Sequence, residues 1–175
     1  MILNLRVFSL FLLYLLPISL ITGPAIPDIS ITLIGVLFLI NIFFKKDFDF
    51  LREFWVKASL LFWIILLILS LFSKNIFQSF IESFIFLRYI LLIIAINFWI
   101  IKKEKELNYL VGIILFSLLF IILDCFYQYF GYTSYNGFGK DIFGFVSTHY
   151  GRLTGPFNEQ IPGAHLARFI FIPLI

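Results

Sequence analysis

Charge is scarce in this sequence of 175 residues, and cysteine is almost absent. Asp, Glu, Lys and Arg make up 13% of the chain, against about 25% in soluble domains. The hydrophobic fraction is 62%, where soluble domains have about 45–50%. A soluble fold of this length could not bury so much apolar surface, whereas a bilayer accommodates it because lipid contacts the outer faces. The single cysteine, Cys125, excludes a disulfide within the chain.

Long apolar segments predict an all-α, polytopic transmembrane helix bundle. We expect about five spans, at residues 6–22, 29–44, 58–72, 81–101 and 109–130. The first resembles a signal peptide, but its core is long and no small-residue cleavage site follows, so we interpret it as a retained anchor. Two prolines and a glycine in residues 23–28 predict a tight turn, with Asp28 capping the next helix.

The basic residues indicate how these helices are oriented. Seven of the thirteen Lys and Arg residues lie in two inter-helix loops: Lys45, Lys46, Arg52, Lys57, Lys102, Lys103 and Lys105. The loop after the first span has none. The positive-inside rule therefore predicts a cytoplasmic N-terminus and an extracytoplasmic position for everything after residue 130. Lys and Arg placed in this way face anionic lipid, so we expect membrane lipid and no nucleic acid as a partner.

The chain changes character after residue 130. Residues 131–167 contain seven of the ten glycines and both histidines, and they are too polar to cross a bilayer. A new apolar run begins at residue 168 and ends at residue 175. Its seven apolar residues reach about 10 Å as a helix, against a hydrocarbon core of about 30 Å. We therefore expect a five-span bundle at 1–130, a polar loop at 131–167, and at 168–175 the start of a sixth span of a longer protein.

Three polar residues inside the predicted spans need an explanation. Arg88 precedes Lys102 by so few residues that it must lie within the hydrocarbon region. It is either an anion site facing the bundle interior or an arginine that reaches the interface along its own stem. Asp124 and Gln128 are four residues apart and share a helix face. They indicate a cation or proton-transfer site, or simply a carboxylate that reaches water.

The polar loop places two arginines and a glutamate in a glycine-rich stretch, at Arg152, Glu159 and Arg168. Guanidinium groups bind phosphate through paired hydrogen bonds. Glycines allow turns and the close approach of a ligand. The loop therefore suits an anionic, lipid-linked substrate, although an ordinary solvated loop has the same composition. Its spacing contains no phosphate-binding glycine loop, zinc pattern or catalytic-triad order.

The chain resembles the O-antigen ligase and O-antigen polymerase family of bacterial membrane glycosyltransferases. The resemblance lies in Asp124-x-x-x-Gln128-x-x-Gly131, Asp141-Ile142-Phe143-Gly144, Arg152-Leu153-Thr154-Gly155-Pro156-Phe157-Asn158-Glu159-x-x-x-Gly163-x-x-Leu166-x-Arg168 and Phe86-Leu87-Arg88-Tyr89. Asn158 and Pro162 depart from the usual pattern without breaking it. The motifs do not separate ligase from polymerase.

The resemblance implies glycan transfer at the periplasmic face of the bacterial inner membrane. The donor would be an undecaprenyl-diphosphate-linked glycan, and the acceptor lipid A-core (ligase) or a growing glycan chain (polymerase), with no metal or other cofactor. Members also use a second periplasmic loop in a C-terminal half, so we expect this chain alone to be inactive. The implied roles are diphosphate binding for Arg88, Arg152 and Arg168, base catalysis for Glu159 and Asp124, and loop shaping for Gly144, Gly155, Pro156 and Gly163.

Two other functions are compatible with a polytopic membrane protein. A transporter or flippase of lipid-linked oligosaccharides should have inverted repeats and helices broken near the middle of the membrane. A structural membrane subunit needs no polar site. The spans look continuous and the polar residues cluster toward one side, which favours the transferase.

Overall fold

The computed structural model describes residues 2–23, 25–134, 137–147, 151–157 and 162. Its α-helices are α1 (Ile2–Thr22), α2 (Ala25–Lys45), α3 (Phe54–Ser70), α4 (Ile76–Ala95) and α5 (Glu104–Phe130). A 3-10 turn, Asp49–Arg52, precedes α3, and a π-helical turn, Ile96–Ile100, continues α4. These residues form no β-strand, and β-type pairing is limited to isolated bridges after α5. The all-α prediction is confirmed.

Four helices in the described part of the chain are long and apolar enough to cross a membrane. They are Asn4–Thr22, Ala25–Lys45, Ile76–Ile100 and Glu104–Phe130. The predicted third span is the shorter helix Phe54–Ser70, whose 17 residues extend about 25 Å. Many large apolar side chains are exposed, such as Phe43 at 79% and Phe72 at 82%. Lipid solvates such faces, and the chain is a multi-pass membrane protein.

The start of α2 differs from the prediction. The helix begins at Ala25, so Pro27 and Asp28 lie inside its first turn and not in a preceding turn. Proline is tolerated there because the first N–H groups of a helix have no partner within the helix. Asp28 is therefore not the residue that precedes and caps α2. Its carboxylate instead pairs with a side chain of α4, as described below.

The chain divides into two compact units, which we describe separately. The first comprises residues 1–13 and 28–104, and the second residues 14–27 and 105–175. One end of the first unit brings together the start of α1, the end of α2, the start of α3 and the end of α4. The contacts there join Arg6 to Ile100, Phe38 to Trp99 and Trp55 to Phe98. Within this unit the two loops rich in Lys and Arg therefore lie at the same end as Arg6.

Candidate functional site

Two side chains of α5 hold the polar loop that follows it. Asp124 and Gln128 lie on successive turns, and both are 0% exposed. Oδ1 of Asp124 accepts a hydrogen bond from the backbone N–H of Ile142 at 2.8 Å. The carboxylate therefore fixes a loop segment that lies 18 residues further along the chain.

Gln128 makes three hydrogen bonds to a second loop segment. Its Oε1 accepts from the N–H groups of Thr154 at 2.9 Å and Gly155 at 3.1 Å. Its Nε2 donates to Oγ1 of Thr154 at 3.2 Å. All three bonds are buried, where hydrogen bonds are stronger and unpaired groups more costly than in water. We call Asp124 and Gln128, with the loop groups that they bind, the loop anchor.

A close contact between two glycines continues the loop anchor. The N–H of Gly139 donates to the backbone carbonyl of Gln128 at 2.9 Å. A Cβ built on Gly131 would lie 2.8 Å from Cα of Gly139, and a Cβ on Gly139 would lie 2.7 Å from Cα of Gly131. Real Cβ atoms essentially never approach another heavy atom so closely. Glycine is therefore required at both positions for the loop to pack against the end of α5.

Asp141 organises the turn that carries Ile142. Its Oδ1 accepts from the N–H of Phe145 at 2.7 Å, and its backbone carbonyl accepts from Gly144 at 3.0 Å. Gly144 has φ +91°, which side chains other than that of glycine rarely adopt. In Asp124 and Asp141 alike, Oδ1 accepts from loop backbone, while Oδ2 is buried and has no hydrogen-bond partner among the residues that the structure describes. The proposed role of Asp124 as a base stays a prediction, and any such role would use Oδ2.

Gly155 brings the loop onto Cys125. Its φ is +54°, and a Cβ built there would lie 2.9 Å from Sγ of Cys125. Thr154 and Gly155 are buried and Pro156 is half-buried. An open apolar pocket of about 230 Å³ lies beside this contact, lined by Ile122, Cys125, Phe126, Tyr129 and Leu153.

Arg152 is exposed, immediately before this buried segment. Arg152 lies two residues before Thr154, whose backbone Gln128 holds. The exposed side chain of Arg152 therefore starts close to a backbone position that is fixed. Glu159, Gly163 and Arg168, the other predicted site residues of the loop, lie outside the described residues, as does the predicted start of a sixth span.

Arg88 belongs to the first unit and is paired there. Its Nη2 donates to Oδ1 of Asp28 at 3.0 Å and to the hydroxyl of Tyr89 at 2.8 Å. The guanidinium carbon lies 4.8 Å from the centroid of the Tyr89 ring, which adds a cation–π contact. The side chains of Arg88 and Asp28 are 21% and 47% exposed. Nε of Arg88 is buried, and no acceptor for it occurs among the described residues.

No group of three or more His, Cys, Asp or Glu side chains that could hold a metal ion occurs within the described residues. No protein-family model, no curated protein and no solved structure matches the chain. The resemblance to O-antigen ligases and polymerases therefore rests on the motif residues themselves.

Some residues that make these contacts were not predicted as site residues. They are Gly131, Gly139, Asp141 and Thr154 around the loop anchor and, separately, Asp28 in the first unit. Gln128 was singled out with Asp124, because the two share a helix face. For the two glycines, no pattern in the sequence marks a backbone contact across eight residues.

Proposed function

We propose that this protein is a membrane glycosyltransferase of the O-antigen ligase or polymerase type. It would bind an undecaprenyl-diphosphate-linked glycan at the periplasmic face of a bacterial inner membrane and transfer the glycan to lipid A-core or to a growing glycan chain. The observation that carries the proposal is the loop anchor, which holds a polar loop on the end of a membrane-spanning helix with Arg152 exposed beside it.

The chemistry requires stabilisation of a diphosphate as it leaves. An acceptor hydroxyl attacks the anomeric carbon, the bond from that carbon to the diphosphate oxygen breaks, and the hydroxyl proton passes to a base. Negative charge grows on the departing diphosphate, and guanidinium groups stabilise it by charge-assisted hydrogen bonds. Arg152, beside the loop anchor, is the described candidate for that role, and the same role for Arg88 in the first unit stays a separate prediction. Glu159 or Asp124 would take the proton.

The distribution of basic residues supports the proposed orientation. Arg6 and the loops rich in Lys and Arg lie at one end of the first unit. The half-buried Trp55 lies at the same end, and tryptophan is enriched at membrane interfaces. If this end is cytoplasmic, α5 begins at the cytoplasmic side and carries the chain to the periplasmic side. The polar loop then faces the periplasm, where the proposed transfer would take place.

The test is binding of the donor to the purified protein in lipid nanodiscs. We expect the protein to capture a radiolabelled undecaprenyl-diphosphate-linked oligosaccharide, and an unlabelled diphosphate lipid to compete better than the monophosphate. Arg152→Ala should weaken capture by about tenfold or more, since a hydrogen bond to a charged group contributes about 1.5–3 kcal/mol. Arg52→Ala is the matched control, because Arg52 is an exposed arginine in the basic loop between α2 and α3.

Three outcomes would count against the proposal. The wild-type protein could fail to capture the donor, or capture could be equally strong with Arg152→Ala. The third outcome is movement of the labelled lipid across the bilayer of vesicles that contain the protein. That result would favour a flippase.

A further inference from the structure

We infer that Gln128 is a positioning residue, which places Arg152 by holding the backbone of Thr154 and Gly155 against α5. The hydrogen bonds from the N–H groups of Thr154 and Gly155 to Gln128 are present in the described structure. What Arg152 then binds rests on the proposed function.

The geometry of the side-chain amide determines this role. A carbonyl oxygen has two lone pairs, and both N–H groups that Oε1 of Gln128 accepts come from consecutive residues. Two bonds from neighbouring peptide planes to one atom fix the direction of the chain at that point. Nε2 adds a bond to Oγ1 of Thr154, which sets the orientation of the amide. Leu153 alone separates this fixed point from Arg152.

Gln128 has little left with which to contact a substrate. Its side chain is 0% exposed, and both of its polar atoms bind the loop. Its backbone carbonyl separately accepts from Gly139. A change of the side chain therefore releases the segment at Thr154 and Gly155 while it leaves the bond to Gly139 in place.

The chain provides its own reporter of this segment. Cys125 is the single cysteine, and Gly155 lies so close to it that an added Cβ would be 2.9 Å from the thiol sulfur. As long as Gln128 holds the segment, Gly155 covers one side of Cys125. Release of the segment exposes this covered side, in addition to the side of Cys125 that lines the open pocket, and should therefore speed the reaction of the thiol.

The experiment measures the rate at which N-ethylmaleimide modifies Cys125 in the protein in lipid nanodiscs. Gln128→Met keeps the length of the side chain and removes both hydrogen-bonding atoms. Loss of these bonds favours the released segment, so we expect modification about tenfold faster. Gln78→Met is the matched control, because Gln78 is an exposed glutamine of α4, and its rate should equal that of the wild type. Gln128→Glu keeps an oxygen for the two N–H groups, and it should restore most of the protection.

A second variant tests the same segment without a change at Gln128. Gly155→Ala should push the segment away from Cys125 and speed modification even if Gln128→Met fails to fold. Unchanged rates in both variants would overturn the inference, as would a Gln128→Glu rate as fast as that of Gln128→Met.

Donor binding separates the inference from the proposed function. If Gln128 places Arg152, the Gln128→Met variant should bind the labelled donor about as weakly as Arg152→Ala, and Gln128→Glu should bind it more tightly than Gln128→Met. If Gln128→Met speeds modification of Cys125 but does not weaken donor binding, Gln128 holds the loop segment but Arg152 has no role in binding. Unchanged modification with weakened binding in Arg152→Ala would overturn the positioning role alone.

Discussion

Replacement of Gly131 by alanine should separate the polar loop from α5. The new Cβ would lie 2.8 Å from Cα of Gly139, whereas carbon atoms in contact are about 3.5–4.0 Å apart. The obstructing atom is backbone, so no side-chain rotation relieves the clash. A shift of about 0.7 Å would stretch the 2.9 Å bond from Gly139 to the carbonyl of Gln128 beyond the usual limit of about 3.2 Å.

The expected loss of unfolding free energy in Gly131→Ala follows from the clash and from the stretched hydrogen bond. Overpacking of a close contact costs about 1–3 kcal/mol, and the weakened hydrogen bond adds about 0.5–1.5 kcal/mol. Gly112→Ala provides the control on the same helix, because a Cβ there meets nothing within 4 Å. In a helix interior alanine is preferred over glycine by about 0.5–1 kcal/mol. Part of this preference cancels if the helix stays helical in the detergent-unfolded state. We therefore expect Gly112→Ala to raise the free energy of unfolding by between zero and about 1 kcal/mol.

The assay is unfolding of the purified protein in mixed micelles titrated with SDS, followed by pulse proteolysis. Gly131→Ala should lower the free energy of unfolding by about 1.5–4.5 kcal/mol, while Gly112→Ala should leave it unchanged or raise it. Gly139→Ala should behave like Gly131→Ala, because its Cβ meets the same contact from the other side. Equal stability of the Gly131 and Gly112 variants would refute the close packing of loop and helix.

Three further predictions concern charged residues. Asp28→Asn should destabilise the protein by up to about 1 kcal/mol in the same titration, because it removes the carboxylate that pairs with Arg88 and solvent screens this partly exposed pair. Arg88→Leu in the same chain should recover part of that loss, and strictly additive losses would contradict the pairing. Asp124→Asn keeps an oxygen to accept the hydrogen bond from the N–H of Ile142, so we expect a change in unfolding free energy below about 1 kcal/mol. A larger loss of stability would contradict an anchor that needs only the acceptor oxygen. Without Cys125, the single cysteines of Lys46→Cys and Lys140→Cys should react with an impermeant thiol reagent from opposite sides of sealed vesicles. Labelling of both cysteines from the same side would refute the proposed orientation.

The sequence predicted the helices well and their ends less well. Apolar runs mark the part of a helix that lies in lipid, whereas backbone hydrogen bonds extend the helix into polar flanks. For this reason α5 begins at Glu104 and α4 at Ile76, each five residues before the predicted span. The π-helical turn at the end of α4 leaves no signature in an apolar run.

The pairing of Asp28 with Arg88 shows where local interpretation of the sequence failed. Asp28 follows a proline and precedes an apolar run, which is the usual setting of a helix cap. Its partner lies 60 residues away on another helix, and no local pattern records that distance. The sequence nonetheless indicated that Arg88 needs a partner, because an arginine within the hydrocarbon region requires a counter-charge or a route to water.

The partners of Asp124 and Gln128 on α5 were also not predictable from local sequence. The shared face of Asp124 and Gln128 was evident from their spacing, but their partners are the backbone N–H groups of Ile142, Thr154 and Gly155. Every residue except proline supplies such a group, so no side-chain pattern in the loop could identify them. A polar pair at the end of a span is thus compatible with a substrate site and with an anchor for the adjoining loop. Rescue by a variant that retains an acceptor oxygen separates the two, because an anchor needs only the oxygen whereas a base also needs an ionisable carboxyl group.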